Sequence, residues 1–248
     1  MRAMIFAAGL GTRLQSETAG KPKALVEISG RTLLEHAIGY LKKFGITEMV
    51  INVHHFADQI IDFLHANRNF GINIQISDER DFLLDTGGGL KKAGALFSGN
   101  GPIVLYNVDI FTNLDLYHLF SFHIRQKALA TLVVRKRETS RYLLFDRNYQ
   151  LTGWKNVKTN EIKICRPELV NESEAFAFSG IQIVNPDIFE LIVEEGKFSI
   201  IDLYLRLAQS HVIKAFVDDS QMWLDLGKKE QLPDAERLIN NFKDTSND

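Results

Sequence analysis

The apolar positions of this chain fall into short runs that switch between two spacings. Residues 2–8 form a nearly unbroken apolar run that stops at Gly9, the pattern of a strand buried on both faces. Over residues 32–44 the period changes. Leu33, Leu34, Ala37, Ile38 and Leu41 share one helical face, and Gly45 follows as a stop signal. Residues 48–53 return to a buried strand, 57–64 to a helix and 72–76 to an alternating strand. Residues 87–96 predict a helix opening from three glycines, and 103–106 a strand ending in Asn107-Val108-Asp109.

Strand and helix thus alternate through the first half, which predicts an α/β fold with a doubly wound sheet. Such sheets bind ligands beyond the carboxyl ends of their strands. Gly9 and Asp109 both follow strand runs, so the two segments are expected to meet at one edge. The second half is less regular. Strands are predicted over 130–134, 142–145, 151–154 and 176–183, and a helix capped by Ser199 runs to about residue 208. Residues 212–217 and 222–226 look like strands, and 233–242 like a last helix. No repeat or low-complexity linker divides the chain. A single domain is expected over 1–243, with a regularly alternating half over 1–115 and a frayed tail over 244–248.

Composition narrows this picture. The chain has 248 residues, 45% hydrophobic and 24% charged, an ordinary balance for a globular domain. The formal net charge of -2 argues against binding to a nucleic-acid backbone, which calls for a basic surplus. The one cysteine, Cys165, forbids an intrachain disulfide framework and lacks the neighbours of a nucleophile. No apolar stretch reaches the ~20 residues of a membrane span. The first nine residues are too short an apolar run for a signal peptide. A cytoplasmic protein is expected.

The sharpest candidate chemistry lies in Ala7-Ala8-Gly9-Leu10-Gly11-Thr12-Arg13. Glycines after a strand permit close backbone approach, and exposed N–H groups there cradle phosphate oxygens. Arg13 adds a fork of donors. A glycine turn serving only the fold reads the same way in isolation. The dinucleotide fingerprint is missing its third glycine, because Leu14 stands there, and no Gly-Lys-Ser/Thr triplet of a Walker loop occurs. Lys21 and Lys23 flank Pro22 about ten residues on, within chain reach of the same phosphates. His54 and His55 are adjacent on a strand, so they point to opposite faces and do not readily share an ion. Arg135-Lys136-Arg137 reads as a solvated strand end that borders the site at most. Phe120, Phe122, Phe176 and Phe178 read as core.

Taken together and in order, these segments resemble the sugar-1-phosphate nucleotidyltransferases, the nucleoside-diphosphate-sugar pyrophosphorylases. Ala7 to Leu14 resembles their Gly-x-Gly-Thr-Arg loop. Pro22-Lys23-Ala24-Leu25 resembles Pro-Lys-Pro-Leu, with Ala24 in place of the second proline. Leu84-Asp85-Thr86-Gly87-Gly88-Gly89, Asn107-Val108-Asp109, Phe178-Ser179-Gly180-Ile181 and Trp223-Leu224-Asp225-Leu226-Gly227 resemble the later motifs. The likeness covers nearly the whole chain and implies the Rossmann-like mixed sheet of nucleotide-diphospho-sugar transferases, with 1–115 as the nucleotide-binding half and 116–243 as the sugar-phosphate half.

It also implies roles. Ala8, Gly9, Gly11, Thr12 and Arg13 would hold the triphosphate, and Lys23 would neutralise the α-phosphate and the leaving pyrophosphate. Asp109 and Asp225 would hold Mg²⁺, which favours one or two carboxylates plus substrate phosphates. Glu79, Thr86, Gly87, Gly88 and Asn107 would lie on the nucleotide side, with Gly87 and Gly88 offering backbone groups to the base. Lys155, Ser179, Gly180 and Trp223 would lie on the sugar side. In many relatives a Glu-Lys-Pro triplet holds the sugar phosphate; here Trp154-Lys155-Asn156 stands in that region. The implied partners are a nucleoside triphosphate and a sugar 1-phosphate. The reaction is in-line attack of a phosphate oxygen on the α-phosphorus, with no general base. Catalysis is then by positioning and charge, with Arg13, Lys23 and Asp109 as its carriers. Leu84 to Gly89 and the chain length look most like the N-acetylmuramate 1-phosphate uridylyltransferases, followed by mannose- or heptose-1-phosphate guanylyltransferases. A non-catalytic nucleotide-sugar sensor on the same fold is the alternative of another class.

Overall fold

Alternate residues of each central strand enter two different cores, and this sets the layers of the molecule. A computed structural model describes residues 1–9, 20–227 and 236–237, and for 170 and 171 their backbone alone. The predicted helix at 233–242 and the tail at 244–248 fall almost wholly outside the described residues, as do Gly11, Thr12 and Arg13. Strand β1 (Arg2–Phe6) is followed by a small hairpin, β2 (Glu27–Ile28) and β3 (Arg31–Thr32), and then by α1 (Leu33–Lys43). β4 (Glu48–Val53), α2 (Ala57–Ala66), β5 (Asn73–Asp78) and α3 (Asp85–Ala93) continue the alternation to β6 (Ile103–Asn107), β7 (Ile110–Thr112) and α4 (Leu116–Gln126). The second half comprises β8 (Ala130–Arg135), β9 (Arg141–Phe145), β10 (Leu151–Asn156), β11 (Glu161–Ile164), β12 (Glu174–Val184), α5 (Ile200–Leu207), β13 (Ile213–Val217) and β14 (Trp223–Asp225).

Ala3, Ile5, Val104 and Tyr106 pack in one core with α1, α2 and α4, while Met4, Ile103 and Leu105 pack in the other with α3 and α5. A strand buried on both sides has to be apolar throughout, which is why residues 2–8 lack alternation. β5, β4, β1 and β6 lie side by side and parallel. β12 runs antiparallel to β6, and β8 and β13 extend the sheet beyond it. The other end of β12 pairs with β9, which leads through β10 to β11. Among the described residues one sheet thus holds ten strands. It is the mixed, doubly wound sheet expected from the sequence, in a single domain.

Local signals explain where elements begin. Thr32 caps α1 by accepting from the Glu35 N–H at 3.1 Å, and the Glu35 carboxylate accepts from the Thr32 N–H at 2.7 Å, a reciprocal capping box. Ser199 caps α5 as predicted. Helix α4 was not predicted. Its Phe, Tyr and His residues are mediocre helix formers, and its start rests on Asp115, which accepts from the Tyr117 and His118 N–H groups. Leu116, Leu119 and His123 are its buried stripe.

Two irregularities shape the site. The chain leaves β1 for β4 on one side and returns to β6 on the other, so the strand order reverses between β1 and β6. Ligands bind at such a reversal in open α/β sheets. β12 is also bulged. Phe178 faces Val134 but Gln182 faces Leu132, so extra residues around Gly180 (φ +77°) bend the strand from β6 toward β9.

Candidate active site

A cavity of about 420 Å³ opens at the carboxyl ends of β1 and β6. Ala7, Ala8 and Gly9 form one wall, and Asn107, Val108 and Asp109 the facing one. The Val108 N–H donates to Phe6 O at 3.2 Å, which carries the ladder past the strand ends and holds the two walls in register. A Cβ at Gly9 would meet no described protein atom within 4 Å, so that backbone faces open space. Lys23 reaches across and pairs with Asp109, and both side chains are largely buried.

Asp225 arrives from the far end of the sequence. β14 pairs with β7 so that Asp225 stands opposite Ile110, and the Leu226 N–H donates to Asp109 O at 2.8 Å. The two aspartates therefore flank one turn, and Gly227 lines the cavity. Their donor set is hard oxygen only, which suits Mg²⁺. Among the described residues no group of three or more His, Cys, Asp and Glu side chains forms a self-sufficient metal cage.

Asn52, which the sequence reading passed over, ties the nucleotide side together. Its Oδ1 accepts from the Ala7 and Ala8 N–H groups at 2.8 and 3.3 Å, and its Nδ2 donates to Glu79 Oε1 at 2.7 Å. Glu79 Oε2 accepts from the Leu84 N–H at 3.2 Å. Glu79 is 1% exposed, and burial raises its carboxyl above the ordinary range while the Asn52 hydrogen bond pulls it back. Its oxygens are thus engaged within the protein, although it borders the cavity where a base contact was expected. His54 Nδ1 lies 2.7 Å from Glu79 O, a fixing contact in the same network.

The three glycines admit close neighbours within the protein. The Gly87 and Gly88 N–H groups both donate to Phe198 O, at 3.0 and 3.4 Å, and so are not presented to a base. A Cβ on Gly87 would lie 2.4 Å from the Phe198 ring, on Gly88 2.3 Å from Gly196 O, and on Gly89 2.8 Å from Glu79 Oε1. Each glycine admits a neighbour that any side chain would exclude. Thr86 likewise holds this segment, its Oγ1 accepting from the Ile200 N–H at 3.0 Å. The consequence is that Lys197 is delivered to the cavity beside Asp85 and Thr86. No motif marked Lys197 beforehand.

On the sugar side the bulge of β12 leaves carbonyls to be satisfied by side chains. Trp223 Nε1 donates to Ser179 O at 2.9 Å, and Arg137 Nη2 to Phe178 O at 3.0 Å. A Cβ on Gly180 would strike Ile110 at 2.6 Å and approach Asn107 Nδ2 to 3.1 Å, so the bulge packs directly on the β6–β7 turn. Lys155 does not line the cavity, nor do Arg137, Ser179, Gly180, Trp223 and Asp225; the Lys155 Nζ lies 5.5 Å from the Tyr142 ring centre on β9. The run 135–137 is not a uniformly solvated strand end. Arg135 is paired with the buried Asp218 at 2.5 Å, Lys136 is exposed beside Glu174, and Arg137 lies over Trp223, its guanidinium carbon 4.4 Å from the ring centre. β8 ends at Arg135, so Lys136 and Arg137 leave the strand and the three adjacent cations meet different surroundings. Cys165 is buried and burial pushes its thiol up to about 11, which removes it as a nucleophile.

The model of the family "Nucleotidyl transferase" matches residues 2–241. The chain belongs to that family. As a member it is an enzyme of the nucleotidyl-transferring class. It is 31% identical over 247 residues to N-acetylmuramate alpha-1-phosphate uridylyltransferase of Caulobacter vibrioides, covering 96% of both chains. It is 30% identical over 243 residues to the protein of the same name from Neisseria meningitidis serogroup B, covering 98% of this chain and all of the relative. Among solved structures, HddC from Yersinia pseudotuberculosis complexed with GMP-PN superposes with a TM-score of 0.74 at 24% identity, over 96% of this chain and 99% of that one. That likeness concerns the nucleotidyltransferase fold. No helix among the described residues is long and apolar enough to cross a membrane.

Proposed function

We propose that this nucleotidyltransferase is a cytoplasmic enzyme that joins UTP to N-acetylmuramate 1-phosphate, giving the UDP-sugar and pyrophosphate. The observation that carries the proposal is the Lys23–Asp109 pair at the reversal between β1 and β6, with the backbone of β14 bringing Asp225 to the same turn. Two relatives of nearly equal length that act on that sugar phosphate, by their names, support the choice of substrate.

In this reading Ala8 and Gly9, continued by Gly11, Thr12 and Arg13, receive the triphosphate, and Asn107 closes the facing wall. Thr86 and Lys197 border the nucleoside, and the carbonyl-bound Trp223 with Ser179 and Gly180 floors the sugar site. Asp109 and Asp225 would hold Mg²⁺, which when bound offsets the charge of the phosphates and of the departing pyrophosphate. The acceptor oxygen of a sugar phosphate is already ionised near neutrality. No side chain has to remove a proton, and the residues act by alignment and by charge. Lys23 contributes once it exchanges Asp109 for a phosphate oxygen.

Pyrophosphate release from each nucleoside triphosphate, against a panel of sugar 1-phosphates, tests the proposal. UTP with N-acetylmuramate 1-phosphate is expected to give the highest kcat/KM. A higher value for GTP with mannose or heptose 1-phosphate would move the substrate assignment, and release with no pair would sink the enzymatic reading.

A further inference from the structure

Arg137 is the cation of the sugar side. It leaves β8 at its carboxyl end, where β12 bulges, and lies over the ring of Trp223 at 4.4 Å. Its Nη2 holds Phe178 O at 3.0 Å and its Nη1 makes a long contact to Glu138 O at 3.3 Å. Its Nε is buried with no hydrogen-bond partner among the described residues. A guanidinium carries five N–H donors, so this one keeps donors in hand. Burial lowers its proton affinity, and the nearby negative charge of Asp225 restores part of it. Arg137 forms no ion pair with Asp225 within the described residues, whereas Arg135 is closed off by Asp218. A half-buried guanidinium with unmatched donors, over an aromatic ring beside the Asp225 strand, is suited to receive a planar or tetrahedral oxyanion.

We infer that Arg137 grips an anionic oxygen of the sugar-side substrate, the task that the family resemblance implied for Lys155. This inference rests on the transferase reading above. Lys155 lies over the Tyr142 ring, its Nζ 5.5 Å from the centre. Arg137 is the cation that lies over Trp223 and feels the charge of Asp225. Two oxyanions fit the chemistry: the 1-phosphate common to all candidate substrates, and the carboxylate that N-acetylmuramate carries and N-acetylglucosamine lacks.

The test compares wild type, Arg137→Gln and Arg137→Lys with UTP and both sugar 1-phosphates. Arg137→Gln is expected to raise KM for the sugar phosphate about 10- to 100-fold, the usual weight of charge-assisted hydrogen bonds. KM for UTP and the melting temperature should stay close to wild type. Arg137→Lys is expected to recover part of the loss, since it keeps charge without the planar fork. An equal loss for both sugars assigns Arg137 to the 1-phosphate; a loss confined to N-acetylmuramate assigns it to the carboxylate. Unchanged KM for the sugar overturns the inference and leaves the transferase reading standing. A rise in both KM values with a lowered melting temperature also overturns it, in favour of a purely structural hold on Phe178. Should wild type turn over no pair, calorimetric binding of UDP-N-acetylmuramate and UDP-N-acetylglucosamine to wild type and Arg137→Gln decides the point. A weakening below about 3-fold for both ligands rejects the inference.

Discussion

Lys23 and Asp109 form an ion pair across the cavity, with side chains only 10% and 14% exposed. One residue was assigned to the phosphates and the other to the metal, yet each is the other's partner. The pairing is physically sensible. Two unlike charges brought out of water together cost far less than either alone. A site built to meet a polyphosphate and a cation needs internal neutralisation before they arrive.

Breaking that pair has two separable effects. Asp109→Asn is expected to lower turnover by at least about 10²-fold, because a carboxylate that would hold the cation facing the reacting phosphates is lost. It should leave the fold intact at a stability cost of about 1–3 kcal/mol, for Lys23 is left without its counter-charge. Pyrophosphate release and urea unfolding measure the two. Near-normal turnover would take Asp109 out of the chemistry.

Asn52 bridges the β1 wall to Glu79. Asn52→Leu strips the partner from the Ala7 N–H and from one Glu79 oxygen, both buried. A destabilisation of about 2–4 kcal/mol is expected, together with a raised KM for the nucleotide. Denaturant midpoints and initial rates at varied UTP check this. A stability change below about 0.5 kcal/mol would show that the bridge is dispensable.

Gly88 is set against a carbonyl and Gly89 against a carboxylate, neither of which can yield as a flexible tip would. Gly88→Ala should push the segment around Gly196 away and cost about 1–3 kcal/mol, with loss of nucleotide affinity as Lys197 is displaced. By contrast Lys197→Gln should raise KM for the nucleotide with stability changed by less than about 0.5 kcal/mol. If Lys197→Gln binds nucleotide as wild type does, Lys197 is a bystander and the glycines serve packing alone.

His123 is buried on α4, with Nδ1 2.8 Å from Thr131 Oγ1, and burial holds its imidazole down at about 4 against 6.5 unfolded. The folded protein keeps this ring neutral while the unfolded chain protonates it below about 6.5. Its contribution is therefore complete above that pH and is lost progressively as pH falls toward 4, by at most roughly 3 kcal/mol. Unfolding free energies at pH 7.5 and 5 measure it. His123→Gln should fall less steeply than wild type between those values; parallel slopes would contradict the assignment.

Several features of this protein were legible without coordinates because they depend on near neighbours. The apolar run of β1, the Ser199 cap of α5 and the stop at Gly45 are each written within a few residues. The doubly wound order follows from their succession, and the ordered motifs led to the family. α4 was missed since its cap lacks a strong following pattern.

What the tertiary structure alone decided concerns groups distant in sequence. That Asp225 reaches Asp109 depends on the pairing of β14 with β7. Asn52 looked like one more polar residue in a buried strand, and only the approach of β1 and Glu79 gives it partners. The glycines at 87–89 signalled close approach, but not to what; Phe198, Gly196 and Glu79 lie there. Arg137 looked solvated because its neighbours in sequence are charged. Its actual surroundings, Trp223 and a bulged carbonyl, are contributed by strands tens of residues away. A short-range pattern encodes which element forms; the surroundings of a side chain are set by whichever elements the sheet brings beside it.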